Sequence, residues 1–311
     1  MHPQARAVLD EISAVRPNAG LPVSLEALRR QELIETRFLG EPEPVKTVRD
    51  VHVDCSGGQI NVRLYFPDRP APHPIVMFIH GGGWALGSVE LSDTLCRALC
   101  RSSAMLVASV GYRLAPEHPF PNGINDVYEV LEGLHANANA LDADPALMAV
   151  CGDSAGGNLA AALALKTRDL GGPSLTLQVL IYPALDPDVS SPSFESLADG
   201  YGLTRADMQF FWDLYLKSPQ NADHPYASPL RASSLKGVAP ALILTAELDP
   251  LVDEGELYGK RLRAAGVEAR TVRYDGMIHG FMSYLGRIDA ARAAVAECGE
   301  ALKEAFWQRH K

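Results

Sequence analysis

The chain predicts an α/β fold: one mostly parallel sheet with helices on both faces. Three observations carry that expectation. From Pro74 onward, short continuous apolar runs alternate with longer helical segments, and strands that are apolar on both faces belong to sheets covered on both sides. Two of those runs end directly in glycine-rich turns, His80-Gly81-Gly82-Gly83-Trp84 and Gly152-Asp153-Ser154-Ala155-Gly156. At 311 residues the chain has the size of one large domain, long enough to bury about three quarters of its unfolded surface and hold a deep pocket.

The elements follow in order. Residues 1 to about 42 stand outside the alternation and carry amphipathic helical patterns over 5–15 and 25–33. Residues 45–55 and 59–66 alternate around Ser56-Gly57-Gly58 and read as an antiparallel hairpin at the sheet edge. Six further strands are expected at 74–79, 105–110, 147–151, 175–181, 241–246 and 269–274, interleaved with helices at 91–102, 125–137, 158–168, 253–265 and 288–306. A second irregular stretch, about 186–225, contains an amphipathic helix over 205–216. The chain has no internal repeats and no low-complexity tract.

Chemistry concentrates at the strand ends. A serine between two glycines after a buried strand is held on a sharp strand-to-helix turn with its hydroxyl exposed, which marks Ser154 as a nucleophile. The bare backbone of Gly82 and Gly83, with the N–H of Ala155, offers donors for a developing oxyanion. In the chain order serine, acid, histidine, Glu247-Leu248-Asp249-Pro250-Leu251-Val252-Asp253-Glu254-Gly255 supplies the carboxylate. Asp249 is the choice, with Asp253 and Glu247 as the alternatives. Asp before Pro is also a helix start, with Asp as N-cap and Pro in the first turn. Among nine histidines, His279 lies just past the last strand, so His279, Asp249 and Ser154 meet at the carboxyl edge of a parallel sheet.

These residues, with Tyr112-Arg113-Leu114-Ala115-Pro116-Glu117-His118-Pro119-Phe120-Pro121, resemble the bacterial hormone-sensitive-lipase-like carboxylesterases with a GDSAGG elbow, a family of the α/β-hydrolase fold. The match runs from about residue 45 to about 305. It departs at Val252, where the family often has a basic residue. The resemblance implies an eight-stranded, mostly parallel sheet in a single domain spanning 1–311. It also implies a helical cap formed by about 1–42 and 186–225 over the core 43–185 and 226–311. Phe210, Phe211 and Trp212 of that cap, and Trp84 beside the glycine loop, are the candidates to touch substrate. An aromatic stripe at helical spacing also serves packing alone. Within the Tyr112 to Pro121 segment the prolines fix an extended path, Arg113 and Glu117 are expected to pair, and His118 is not a catalytic candidate.

The expected activity is hydrolysis of short to medium acyl-chain esters. His279 takes the proton of Ser154, Asp249 orients the imidazole, and an acyl-enzyme is released by water. Activity should fall in acid, because His279 must be neutral to act. No metal or cofactor is required. The alternatives are an amidase or arylacetamide deacetylase-like hydrolase using the same acyl-enzyme chemistry, or a binding protein on the same scaffold, as in the gibberellin receptors, which lose the histidine that this chain keeps.

Composition bounds the partners. With 28 basic against 38 acidic residues the formal net charge is −10, and no basic stripe exists to neutralise phosphates. Nucleic acid and anionic membrane surfaces are therefore not expected, and a small-molecule ester is. The N-terminus lacks an apolar core of signal-peptide length, and no run approaches the ~18 apolar residues of a membrane span. Five cysteines, an odd number, fit a reducing compartment and hence a cytoplasmic protein. Family resemblance implies a homodimer.

Overall fold

The computed structural model describes residues 1–15 and 24–307. Residues 16–23, part of the expected cap, lie outside it. Two helices come first, α1 (Pro3–Val15) and α2 (Leu25–Glu35). The hairpin β1 (Thr47–Cys55) and β2 (Gly58–Phe66) pairs antiparallel in one continuous register, from Thr47 opposite Phe66 to Cys55 opposite Gly58. After it come β3 (His73–Ile79), α3 (Asp93–Ser103), β4 (Leu106–Gly111), α4 (Asn122–Ala136), β5 (Ala143–Asp153), α5 (Ala155–Leu170) and β6 (Gln178–Ile181). Next are the short α6 (Pro192–Ser196), α7 (Arg205–Leu216), β7 (Ala241–Leu248), α8 (Val252–Ala264), β8 (Ala269–Ile278) and α9 (Asp289–Trp307).

The eight strands form one sheet in the order β1-β2-β4-β3-β5-β6-β7-β8. Every pairing from β4 to β8 is parallel, while β2 joins β4 antiparallel and brings the hairpin onto the edge. The expected eight-stranded, mostly parallel sheet is thus what the chain forms. Period-two side-chain alternation divides the core: Ile75, Met77 and Ile79 of β3 face the cluster shared with α4, α5 and α8, whereas Val76 and Phe78 face that of α3, α9 and α1. Helix α5, which follows the central strand, is buried almost all round: Leu159 to Leu165 are at most 1 % exposed. Small side chains at Ala160, Ala161, Ala162 and Ala164 let it lie close to the sheet.

Three elements differ from expectation. Strand β6 is shorter, because the chain before Gln178 is tied only by isolated bonds such as Thr176 N to Met148 O at 2.7 Å. Helix α8 begins at Val252, one residue from the expected start, but Leu251 and not Asp249 is its N-cap: Asp249 accepts from Leu251 N through Oδ1 at 2.9 Å, so its cap-like bond closes a turn ahead of the helix. At five residues, α6 is too short for any periodicity to reveal it.

The two stretches outside the alternation separate in the core. Ala5, Val8, Leu9 and Ile12 of α1 join the cluster of α9, whereas Met208, Phe211, Trp212 and Tyr215 of α7 join that of α5. They approach each other at Gly202, where a Cβ would lie 3.6 Å from Leu9 Cδ1. Among the described residues no helix is long and apolar enough to cross a membrane, and no cluster of side chains could hold a metal ion. All five cysteines are free and four are buried.

Candidate active site

Strand β5 ends at Asp153 and α5 begins at Ala155, so Ser154 alone makes the turn, at φ 54° and ψ −118°. A non-glycine residue there costs on the order of 1–3 kcal/mol and persists only when its surroundings over-determine it. They do so here. Ser154 N donates to Ile181 O at 2.8 Å, while Ala184 N and Asn158 N donate to Ser154 O at 3.2 and 3.0 Å. The chain doubles back so tightly that a Cβ on Gly156 would overlap the Ile79 carbonyl oxygen, and one on Gly152 that of Gly156.

Strands β7 and β8 deliver their side chains to the same edge. Asp249, directly after β7, is fully buried, and its Oδ2 lies 2.7 Å from His279 Nδ1. The Nε2 of His279, directly after β8, lies 2.9 Å from Ser154 Oγ. A carboxylate at Nδ1 requires that nitrogen to carry the proton, which leaves Nε2 as acceptor for the serine O–H. The structure therefore brings Ser154, His279 and Asp249 into one hydrogen-bonded line. The alternative carboxylates are engaged elsewhere: Asp253 accepts from Ser193 N at 2.8 Å, and Glu247 from Gly276 N at 2.6 Å.

The glycine loop is tied to the elbow from below. Gly81 N donates to Asp153 Oδ1 at 2.9 Å, and Tyr112 Oη donates to His80 O at 3.0 Å. Burial pushes the Asp153 carboxyl up to about 6, against the opposing pull of the Gly81 N–H and of His279. Burial pushes the imidazole of His80, stacked on Tyr112 with ring centroids 4.4 Å apart, down to about 4, so it is a neutral packing group at ordinary pH. Gly82 O accepts from Ala85 N and Leu86 N at 3.1 and 2.8 Å, turning the loop back on itself. The N–H groups of Gly82, Gly83 and Ala155 donate to no protein acceptor among the described residues. A cavity of about 170 Å³ lies between this loop and the one after His279, with Glu32, Asp153, Gly280 and Tyr284 in its wall.

Helix α7 covers the loop. The Phe211 ring occupies the space a Cβ on Gly83 would need and is 9 % exposed. Phe210 is half-buried, its ring centroid 5.6 Å from that of Phe211. Trp84 and Trp212 are packing residues between helix and loop, 1 % and 2 % exposed. Trp84 stacks on Tyr215 at 4.4 Å and 6°, with Trp212 4.3 Å away on its tilted side.

Several supporting contacts carried no sequence signal. Arg113 pairs not with Glu117 but with Asp126 of α4, through a 2.6 Å contact from Nη2 and further bonds from Nε. Glu117 is taken instead by Arg29 of α2 at 2.7 and 2.9 Å, and the same guanidinium donates to Ala85 O and Ala115 O. That bond holds the Glu117 carboxyl down at about 2. Buried Asn158 donates to Ala184 O and Ala227 O at 2.8 and 2.9 Å. Glu254 Oε2 accepts from Leu185 N and Asp186 N at 3.0 and 2.8 Å, and burial raises its carboxyl well above the usual range. Arg113, Glu117, Asp153 and Glu254 sit inside motifs singled out from the sequence, whereas Arg29, Asp126 and Asn158 do not. The contacts themselves join positions distant in the chain, where local pattern is silent.

Comparison with known proteins gives the family. A sequence model of the alpha/beta hydrolase fold matches residues 76–283. Carboxylesterase NlhH from Mycobacterium tuberculosis is 41 % identical over 251 residues, 79 % of either chain. Ethyl acetate hydrolase from Pseudomonas putida is 34 % identical over 98 % of this chain and 99 % of its own. Among solved structures, an esterase from Pyrobaculum calidifontis superposes with a TM-score of 0.90 at 39 % identity, covering 98 % of both chains.

Proposed function

Because this chain belongs to the alpha/beta hydrolase family, we propose that it is a serine carboxylesterase cleaving short to medium acyl-chain esters through an acyl-enzyme intermediate. The observation that carries this reading is the unbroken line from Ser154 Oγ through His279 to buried Asp249.

In the first half-reaction His279 Nε2 takes the serine proton as Oγ attacks the ester carbonyl. The carbonyl oxygen becomes an oxyanion facing the N–H groups of Gly82, Gly83 and Ala155, each worth about 10²–10³ in rate by comparison with known oxyanion donors. Asp249 holds the ring and stabilises the imidazolium. The imidazolium then gives its proton to the departing alkoxide, leaving the acyl group on Ser154. Water repeats the sequence and releases the acid.

In this reading α1, α2, α6 and α7 act as the cap, and Phe210 and Phe211 border the acyl group. Trp84 and Trp212 support that wall from behind. The enzyme is taken as cytoplasmic, in keeping with its unpaired thiols, and as a homodimer, which the family resemblance supports and light scattering tests. The activity is tested with p-nitrophenyl esters from acetyl to lauroyl, Ser154→Ala assayed beside the wild type. Serine-dependent turnover peaking at short or medium chains is the expected result. A folded wild type that turns over none of these esters would contradict it.

A further inference from the structure

Among the described residues, six that are not glycine have positive φ: Trp84, Ala104, Asp142, Ser154, Tyr182 and Lys217. Three have an ordinary explanation, since Ala104, Asp142 and Lys217 are the left-handed C-caps of helices. The other three surround the nucleophile. Ser154 is the elbow and Trp84 belongs to the glycine loop, but Tyr182, at φ 35° just past β6, has no part in the reaction derived above. Positive φ in a bulky residue is a genuine outlier, and such strain gathers at functional sites.

Tyr182 is held there from both sides. Its N–H donates to Leu244 O at 2.6 Å, and the carbonyl before it, that of Ile181, accepts from Ser154 N at 2.8 Å. Its ring, 1 % exposed, lies between two rings of the histidine loop. The centroid of His279 is 4.8 Å away at 59°, and that of Phe281 is 5.9 Å away at 64°. Other groups around the pair are Asp249 after β7, Asp153 in the elbow, and Ser283 and Tyr284 beyond His279. The Asp249 carboxylate, 2.7 Å from Nδ1, attracts an imidazolium. An aromatic ring within about 6 Å of a cation adds to that attraction, most strongly where water is excluded.

We propose that Tyr182 is a positioning residue: its ring walls one side of the His279 imidazole, keeps it in line between Asp249 and Ser154, and stabilises the imidazolium formed during acyl transfer. This rests on the reading of His279 as the general base. The strained backbone at Tyr182 is what brings the ring against the histidine.

The test is a series at position 182, read by kcat, KM and the pH profile of kcat/KM on p-nitrophenyl butyrate. Tyr182→Leu removes the π-face but keeps bulk. It should lower kcat about 3- to 10-fold with KM little changed, and move the acid limb about half a unit to lower pH, as expected for losing one such contact. Tyr182→Phe and Tyr182→Trp should restore both. If the leucine variant does not fold, Tyr182→Met, which adapts more easily to the site, replaces it. A leucine or methionine variant with wild-type kcat and acid limb would overturn the proposal. So would a loss of activity that phenylalanine and tryptophan fail to rescue. Absence of Ser154-dependent turnover in the wild type would instead remove the esterase reading. The NMR titration of the His279 ring, which needs no turnover, would then still decide whether residue 182 shifts its midpoint.

Discussion

The carboxyl edge of the sheet and the helices above it are built on different principles. At the edge, position is set by backbone. Ser154, Asp249 and His279 each stand at a strand end, within one to three residues of ladder hydrogen bonds, and two are within 2.9 Å of the imidazole they share. Above it, position is set by side chains from distant parts of the sequence: Arg29 reaching Glu117, Phe211 over Gly83, Trp84 between Trp212 and Tyr215. A parallel sheet cannot shift one strand end without breaking its neighbours' bonds. A helix held by a few long side chains can move and still keep the fold. Changes at the edge should therefore act on kcat, and changes above it on substrate preference and KM.

The largest expected effect lies in the hydrogen-bonded line. Ser154→Ala should leave a folded protein with kcat/KM lower by at least about 10⁴, the scale seen when a triad member is lost. Asp249→Asn should cost about as much, because an amide no longer fixes the Nδ1–H tautomer. Circular dichroism beside the assay separates this from unfolding, and retained turnover in either variant would place the chemistry elsewhere.

Next comes the point where the two regions touch. Gly83→Ala would drive a Cβ into the Phe211 ring at a backbone with φ 56°, so kcat should fall about 10²-fold as the loop donors shift. Pairing it with Phe211→Ala sharpens the comparison: if the loss comes from the clash, the double variant recovers part of the rate.

Smaller effects follow in the supporting carboxyls. Glu254→Ala leaves Leu185 N and Asp186 N without their acceptor, and a buried unsatisfied group costs about 1–3 kcal/mol. Glu254→Gln, which keeps an acceptor oxygen for both N–H groups without a charge, should be nearly as stable as the wild type in urea titration. Equal loss in both variants would mean that the charge, not the shape, matters. For Asp153 the sign is opposite to that of an ordinary paired carboxylate. Its folded value is raised to about 6 from an unfolded value of about 3.9, so ionisation disfavours the folded state and stability is lost as pH climbs through that window. Asp153→Asn removes this loss. The variant's Tm relative to wild type should rise between pH 4 and pH 7, and a flat difference would show that burial there is not felt.

The smallest change is expected from Arg29→Ala. The guanidinium is one-third exposed and exposed ion pairs contribute little, so the fold should be unaffected. KM should rise a few-fold, because Ala85 O and Ala115 O lose the donor that ties them to α2. A purely kcat-based loss would break the division drawn between the two regions.

The same division explains what could be read in the chain. The elbow and glycine loop were legible because their requirement is local: only glycine fits where Gly156 passes the Ile79 carbonyl. The sheet was legible because parallel strands buried on both faces leave continuous apolar runs. Asp249 and His279 could be placed by order along the chain, since each sits at a strand end. The covering helices showed only amphipathicity, which does not say whether an aromatic faces a substrate or another aromatic. Thus Trp84 and Trp212, candidates to touch substrate, lie in a stack, and the partner of Glu117 is 88 residues away rather than four. Tyr182 gave no signal at all, because its strain comes from the strands on either side of it.

The central claim is that Ser154 is the nucleophile activated by His279. It is tested most directly by treating the purified protein with a fluorophosphonate and locating the adduct by peptide mass spectrometry. One adduct, on the peptide carrying Ser154, absent in Ser154→Ala and strongly slowed in His279→Ala, is the predicted result. Labelling that persists in Ser154→Ala, or a folded wild type that does not react, would contradict it.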